Sequence, residues 1–196
     1  MNIPPLAIVQ ARMGSTRLPG KVLMGLCGKP LWWHAWNAAV QAFGPENVVV
    51  AMLAASTEND VLAESCAMHG ARVYRWDGPE KDVLGRFHAC AHRYRWHPDS
   101  VIVRVTPDDP RKDPAIMRRV ASGERFHVEQ GAEAVTLAML DGARERLHWP
   151  YRHFAREHIT RALFPTDPPP PPDDGTPWTV DTQEDLDRMR AFMGAR

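Results

Sequence analysis

Short apolar runs alternate with helix-patterned segments from Leu6 to Gly123, and few folds accommodate that rhythm. Leu6–Ala11, Val48–Leu53 and Ser100–Val105 have the length and aliphatic content of strands, and Arg72–Arg75 is expected as a short strand between the last two. Between the first two lies Pro30–Ala42, where Leu31, Trp32, Ala35 and Ala39, continuing to Phe43, recur at helical spacing. Thr57 or Asn59 can cap a second helix that runs to His69 and stops at Gly70. Asp82 can cap a third, to about Tyr94. Asp113, with Pro114 at the first helical position, starts a fourth that Gly123 ends. A strand–helix alternation of this kind predicts an α/β fold, a mostly parallel sheet flanked by helices in three layers.

Beyond Gly123 the rhythm is looser. Ala134–Met139 is expected as a strand and Tyr151–Phe164 as a helix. Pro168–Pro172 is a run of prolines, which must be extended and cannot join a central sheet; it is expected to be a rigid connector within 165–175. Trp178–Asp181 is expected as a last strand, followed by a helix from Thr182 with Asp185 as its capping-box partner. The chain is predicted to be one domain over 1–196.

Composition excludes several classes of function. Lysine plus arginine and aspartate plus glutamate both number 24, so a general nucleic-acid binder is not expected and the basic residues must act locally. No apolar run approaches the length of a membrane span. Met-Asn-Ile-Pro-Pro lacks the basic start of a signal peptide, and Cys27, Cys66 and Cys90 are too widely spaced for a disulfide framework, so a reduced, cytoplasmic protein is the expectation.

The chemistry concentrates in Gln10–Leu23, Q-A-R-M-G-S-T-R-L-P-G-K-V-L, directly after the first strand. Backbone N–H groups of Gly14, Ser15 and Thr16 can form an anion nest, and Arg12, Arg17 and Lys21 can supply positive charge to a polyphosphate. In parallel sheets ligands sit at the carboxyl ends of strands. Two acidic groups fall there on this reading, Asp108 after the fourth strand and Asp181 after the last. A basic phosphate loop facing two carboxylates suggests a Mg²⁺–nucleotide site.

These residues also carry a resemblance. R-M-G-S-T-R-L-P-G-K, residues 12–21, resembles the signature of the cytidylyltransferases that make CMP-activated sugars, most closely the spore-coat polysaccharide (SpsF-type) branch, and also the CMP-Kdo synthetases. D-V-L-G-R at Asp82–Arg86, V-R-V-T-P-D-D-P at Val103–Pro110, R-E-H-I-T at Arg156–Thr160 and V-D-T-Q-E-D-L at Val180–Leu186 resemble further motifs of that branch, in the same order. The resemblance implies a nucleotide-diphospho-sugar-transferase-like, Rossmann-like fold. It also implies Mg²⁺-dependent transfer of CMP from CTP to a sugar, sugar acid or related small-molecule acceptor, with release of pyrophosphate. Ala11, Arg12, Gly14, Ser15, Arg17, Lys21 and Arg86 would bind the nucleotide. Arg12, Lys21 and Asp108 would act in catalysis, Asp108 and Asp181 would bind the metal, and His158 and Arg104 would approach the acceptor. A homodimer is the family's usual assembly. The same fold using GTP or UTP, or a non-catalytic relative that binds a nucleotide or a partner, are the alternatives.

Three departures from the family pattern are visible. Pro107 replaces a glycine before the metal aspartate, so no N–H is offered there. Arg111-Lys112 replaces an apolar pair and adds charge nearby. The chain also passes from Gly123 to Gly131 in a few polar residues, where the family usually carries a hairpin-and-strand region; the acceptor and dimer region is expected to be shortened around 123–150.

Other polar residues have simpler readings. Asp109 and Asp113 are expected in turn and cap roles. His88 and His92 share a helix face while Cys90 points away, and no C-x-x-C or H-E-x-x-H accompanies them, so the run is not read as a zinc site. Of Trp32, Trp33 and Trp36, two are expected in the core.

Overall fold

The computed structural model describes residues 3–54, 57–127, 130, 132–146, 170–171 and 174–194. His158, the R-E-H-I-T segment, the helix expected over Tyr151–Phe164 and most of the proline run lie outside the described residues.

The sheet is built from β1 (Leu6–Gln10), β4 (Val48–Leu53), β5 (Arg72–Trp76), β6 (Val101–Val105) and β7 (Glu133–Thr136), and a two-stranded hairpin from β2 (Gly25–Leu26) and β3 (Lys29–Pro30). Strand order is β5-β4-β1-β6-β7. β1 pairs in parallel with β4 and β6, β4 pairs in parallel with β5, and β7, on the β6 edge of this five-stranded sheet, runs antiparallel. The helices are α1 (Leu31–Phe43), α2 (Glu58–Met68), α3 (Val83–Tyr94), α4 (Pro114–Ala121), α5 (Leu137–Arg146) and α6 (Gln183–Gly194).

The period of two along β1 explains the layering. Leu6, Ala7, Ile8 and Val9 are all fully buried, because both faces of this central strand are covered. Ala7 and Val9 join Val50, Met52, Val103 and Val105 beneath Trp32 of α1, Leu62 of α2 and Met117 of α4. Leu6 and Ile8 join Val49, Ala51 and Ile102 beneath Leu84 and Phe87 of α3 and Leu140 of α5. A third cluster, Leu18, Leu26, Leu31, Val180, Leu186 and Met189, seats α6 on the hairpin and on the loop after β1. Trp32 and Trp36 are buried as expected, and the Trp32 Nε1–H donates to Ser65 Oγ at 3.0 Å.

Two expected strands differ from the structure, one cut short and one not formed. Ala134–Met139 divides at Thr136, whose hydroxyl accepts the Met139 N–H at 3.2 Å and so caps α5. Leu137, Ala138 and Met139 are good helix formers, and the cap releases them into a helix. Trp178–Asp181 forms no strand. Val180 donates to the Asp108 carbonyl at 2.9 Å, but its own carbonyl is taken by the Lys21 ammonium at 2.7 Å, so no ladder propagates.

Candidate active site

The loop after β1 leaves the sheet at Ala11, whose N–H still donates to the Ala51 carbonyl at 3.1 Å. It then folds on itself. Ser15 and Gly20 both donate to the Met13 carbonyl, at 2.9 and 3.1 Å, and the Met13 N–H is held by buried Asn59 of α2 at 3.2 Å. Gly20 closes the loop with φ +70°, a left-handed conformation that an L side chain rarely adopts. The expected nest is therefore partial. The Ser15 N–H is spent on Met13, whereas the Gly14 and Thr16 N–H groups donate to nothing among the described residues. Among the described residues, only Glu80 lies close to where a Gly14 Cβ would stand, with Oε1 at 3.5 Å.

Lys21 sits at the centre of the site. It is 7% exposed, and its Nζ donates to Asp108 Oδ2 at 2.6 Å, to the Val180 carbonyl at 2.7 Å and to Asp181 Oδ1 at 2.9 Å. All three ammonium donors are thus used. Burial works against the charged ammonium, but the two carboxylates outweigh it and hold its pKa above the ordinary lysine value. Burial and the neighbouring Asp109 push Asp108 up from the ordinary carboxylate range, with Lys21 pulling against them. Asp108 thus needs a cation close by to stay ionised.

The two arginines of the loop are each met by a carboxylate. Arg12 pairs with Glu80 at 2.9 Å, and Arg17 pairs with Asp181 Oδ2 at 2.8 Å. Both arginines are exposed, and their carboxylate partners can be exchanged for another anion at small cost. Arg86 differs from them. It is 1% exposed, and its Nε and Nη1 make no hydrogen bond among the described residues. Burial, reinforced by the like charge of Arg12, lowers its pKa to about 10, while Glu80 and Asp82 pull the other way. The guanidinium remains charged at neutral pH, close enough to Arg12 to feel its field and with donors to spare.

D-V-L-G-R has a local reason for its order. Asp82 Oδ1 accepts the Gly85 N–H at 2.9 Å, capping α3. A Cβ on Gly85 would meet Asp82 Oδ2 at 2.4 Å, so the cap requires glycine there. Arg86 is the next residue and is carried under the loop.

Asp109 and Asp113 are structural, as their positions suggested. Buried Asp109 accepts Lys112 Nζ at 2.8 Å and Thr179 Oγ1 at 2.6 Å, and also binds Thr106 Oγ1. Asp113 caps α4 through the Ala115 N–H at 2.7 Å. The added charge of Arg111-Lys112 is consumed locally. Lys112 serves Asp109, while Arg111 pairs with Asp174 at 2.6 Å and stacks on Trp178 and Phe192. These contacts, with Val180 on Asp108, fasten the segment bearing Asp181 against the loop bearing Asp108. Arg104 lies on β6 opposite Glu133 of β7 and is ion-paired with it. Glu80 and Asn59 are the site residues that sequence reasoning missed. Neither belongs to a motif, and only the packing of the segment before α3 and of α2 brings them to the loop.

The residues brought into contact are thus Arg17, Lys21, Asp108 and Asp181, while Arg12, on the same loop, pairs with Glu80 close to buried Arg86. Residues 6–128, more than half of the chain, match the family model described as cytidylyltransferase. The 3-deoxy-manno-octulosonate cytidylyltransferase of Thioalkalivibrio sulfidiphilus is 33% identical over 121 residues, 62% of this chain and 46% of that protein. The spore coat polysaccharide biosynthesis protein SpsF of Bacillus subtilis is 36% identical over 132 residues, 65% of this chain and 51% of that protein. A cytidylyltransferase structure from Leptospira borgpetersenii superposes with a TM-score of 0.83 at 25% identity, over 100% of this chain and 88% of the other. The chain spans about half the length of the curated relatives it matches. With its mostly parallel, helix-flanked sheet and this match, the chain belongs to the cytidylyltransferase family.

Proposed function

We propose that the chain transfers CMP from CTP to a hydroxyl of a sugar or sugar acid, releasing pyrophosphate, with Mg²⁺ held by Asp108 and Asp181. One observation carries the reading: an ammonium, Lys21 Nζ, is clamped between these two carboxylates directly beside an arginine-bearing loop. The ammonium marks where a cation is wanted, and two carboxylates, completed by phosphate oxygens and water, would suit Mg²⁺. Bound there, the ion would neutralise charge on the triphosphate.

The protein's own groups account for the remaining requirements. A triphosphate entering the loop exchanges with Glu80 on Arg12 and with Asp181 on Arg17. The N–H groups of Gly14 and Thr16 and the Arg86 Nε and Nη1, which donate to nothing among the described residues, favour an anion there. Once the carboxylates have another cation, the Lys21 ammonium can turn to the phosphates. The acceptor hydroxyl oxygen attacks the α-phosphorus and releases its proton to solvent, the bond from that phosphorus to the bridging oxygen breaks, and pyrophosphate departs with the electron pair. Arg12 and Lys21 stabilise the charge that builds on the α-phosphoryl and leaving oxygens. Cytosine as the base and a sugar acid as the acceptor are favoured by the family and by the names of the relatives matched.

The test is pyrophosphate release from CTP across a panel of sugars and sugar acids, 3-deoxy-manno-octulosonate included. Asp108→Ala and Lys21→Ala are expected to lower the rate by on the order of 10²–10³. Turnover unchanged in both variants would overturn the mechanism. A thermal-shift panel of CTP, UTP, GTP and ATP with Mg²⁺ identifies the base, since a ligand at a hundredfold over its Kd stabilises by about 2.7 kcal/mol.

A further inference from the structure

The exposed side of α3 carries a second constellation. His88 and His92, one turn apart, share a face, and Asp141 of α5 lies against them. His88 Nε2 is 2.8 Å and His92 Nε2 2.6 Å from the same oxygen, Asp141 Oδ1, and the two rings stand 4.3 Å apart between centroids. One potential ligand atom from each residue falls within 4.8 Å of the others. Cys90, the sulfur between the two histidines in sequence, is fully buried, and burial pushes its thiol up to about 12. The third ligand comes instead from α5, which no local motif announces.

We propose that His88, His92 and Asp141 bind a zinc-type divalent transition metal, at a site built by α3 and α5 and separate from the residues of the nucleotide loop. Two imidazoles and one carboxylate suit Zn²⁺, Co²⁺ or Ni²⁺ better than Mg²⁺, which prefers oxygen ligands. Tetrahedral coordination with bonds near 2.0–2.1 Å places ligand atoms roughly 3.3 Å apart. From 2.8 and 2.6 Å, the two nitrogens would withdraw from Asp141 by roughly 0.5 and 0.7 Å to reach it. His92 and Asp141 side chains are each 40% exposed, so an ion can enter from solvent and a water can complete the coordination. The bound ion would clasp α3, whose first turn presents Arg86, to α5.

Arg144 separates this reading from a simple hydrogen-bonded cluster. Its Nη1 lies 2.7 Å from His88 Nδ1. An arginine only donates, so Nδ1 accepts and the His88 proton sits on Nε2, pointing at Asp141. A metal on Nε2 moves that proton to Nδ1, and Arg144, which is exposed, must then swing away. Arg144 therefore supports the metal-free cluster and opposes the metal.

The test is titration of the full chain with Co²⁺ in excess Mg²⁺, read by the visible spectrum. The expected result is one bound Co²⁺ with the intense band of four- or five-coordination. His92→Ala and Asp141→Asn should each weaken binding by at least about tenfold. Arg144→Ala should tighten it by roughly threefold, the worth of one exposed charge. Asp108→Asn should leave it unchanged. A six-coordinate spectrum alone, binding indifferent to both His92→Ala and Asp141→Asn, or binding lost in Asp108→Asn would each overturn the proposal. His92 is on the surface and Asp141→Asn is nearly isosteric, so circular dichroism is expected to confirm folded variants.

Discussion

Replacing Lys21 by methionine removes the ammonium and keeps most of the side-chain volume. Three acceptors then lose their donor: Asp108 Oδ2, Asp181 Oδ1 and the Val180 carbonyl. Breaking a buried ion pair on one side costs about 3–5 kcal/mol. The Asp108 and Asp181 side chains retain 22% and 26% exposure, so water relieves part of the loss and about 3 kcal/mol is expected. For a domain of this size each kcal/mol shifts Tm by about 2–4 °C, giving a fall of about 6–12 °C in EDTA. Mg²⁺ should reverse much of it. Two carboxylates without their lysine hold a cation more readily, and saturation at a hundredfold over Kd returns about 2.7 kcal/mol. In the parent protein the ion competes with Lys21, so its stabilisation by Mg²⁺ should be smaller. Thermal and urea melts of both proteins, with EDTA and with Mg²⁺, measure the four values required. A Lys21→Met protein within about 0.5 kcal/mol of the parent would refute the reasoning. So would a loss of equal size in EDTA and in Mg²⁺.

Other perturbations probe the parts around this centre. Glu80→Gln removes the carboxylate that holds Arg12 and should tighten nucleotide binding severalfold in calorimetric titration; weaker binding would show that Glu80 positions Arg12 instead of competing for it. Gly85→Ala should destabilise the fold in urea melts although alanine gains about 1 kcal/mol of helix propensity over glycine, because its Cβ would lie 2.4 Å from Asp82 Oδ2 and displace the cap. Asp185 accepts the Thr182 N–H at 2.9 Å and the Asp181 N–H at 3.2 Å. Burial acts to raise its pKa, but the hydrogen bonds it accepts prevail and lower it. A depressed folded pKa contributes stability above the unfolded value, about 3.9, and loses it as pH falls through the folded one. Asp185→Ala should therefore cost about 1 kcal/mol at pH 7 and progressively less in acid, as followed by chemical denaturation across pH.

Where the sequence speaks locally, it is legible. Asp82, Asp113 and the Thr182–Asp185 pair cap the helices they are expected to cap, since a capping oxygen and the N–H that donates to it lie within four residues of each other. Val48–Leu53 is bounded as expected, because an aliphatic run buried on both faces has few alternatives. The misses arise where distant groups decide. The helix that begins after Thr136 and the strand that fails at Val180 depend on one hydroxyl and one ammonium. The site shows the same division. The loop, Asp108 and Asp181 are visible as motifs, but Lys21 bridging both carboxylates spans 87 and 160 positions of sequence. Glu80 on Arg12 spans 68. The His88–His92–Asp141 cluster was half visible, its histidines one turn apart and its carboxylate on another helix.

Binding of Mg²⁺–CTP to the parent protein and to the Arg12→Ala and Asp181→Asn variants, measured by calorimetry beside Mg²⁺–ATP, probes the donor site most directly. CTP is expected to bind the parent more tightly than ATP. Each variant should weaken CTP by about 1–3 kcal/mol, roughly 5- to 150-fold. Equal affinity for both nucleotides, or variants that bind CTP as the parent does, would contradict the assignment of this loop and these carboxylates to a metal–CTP site.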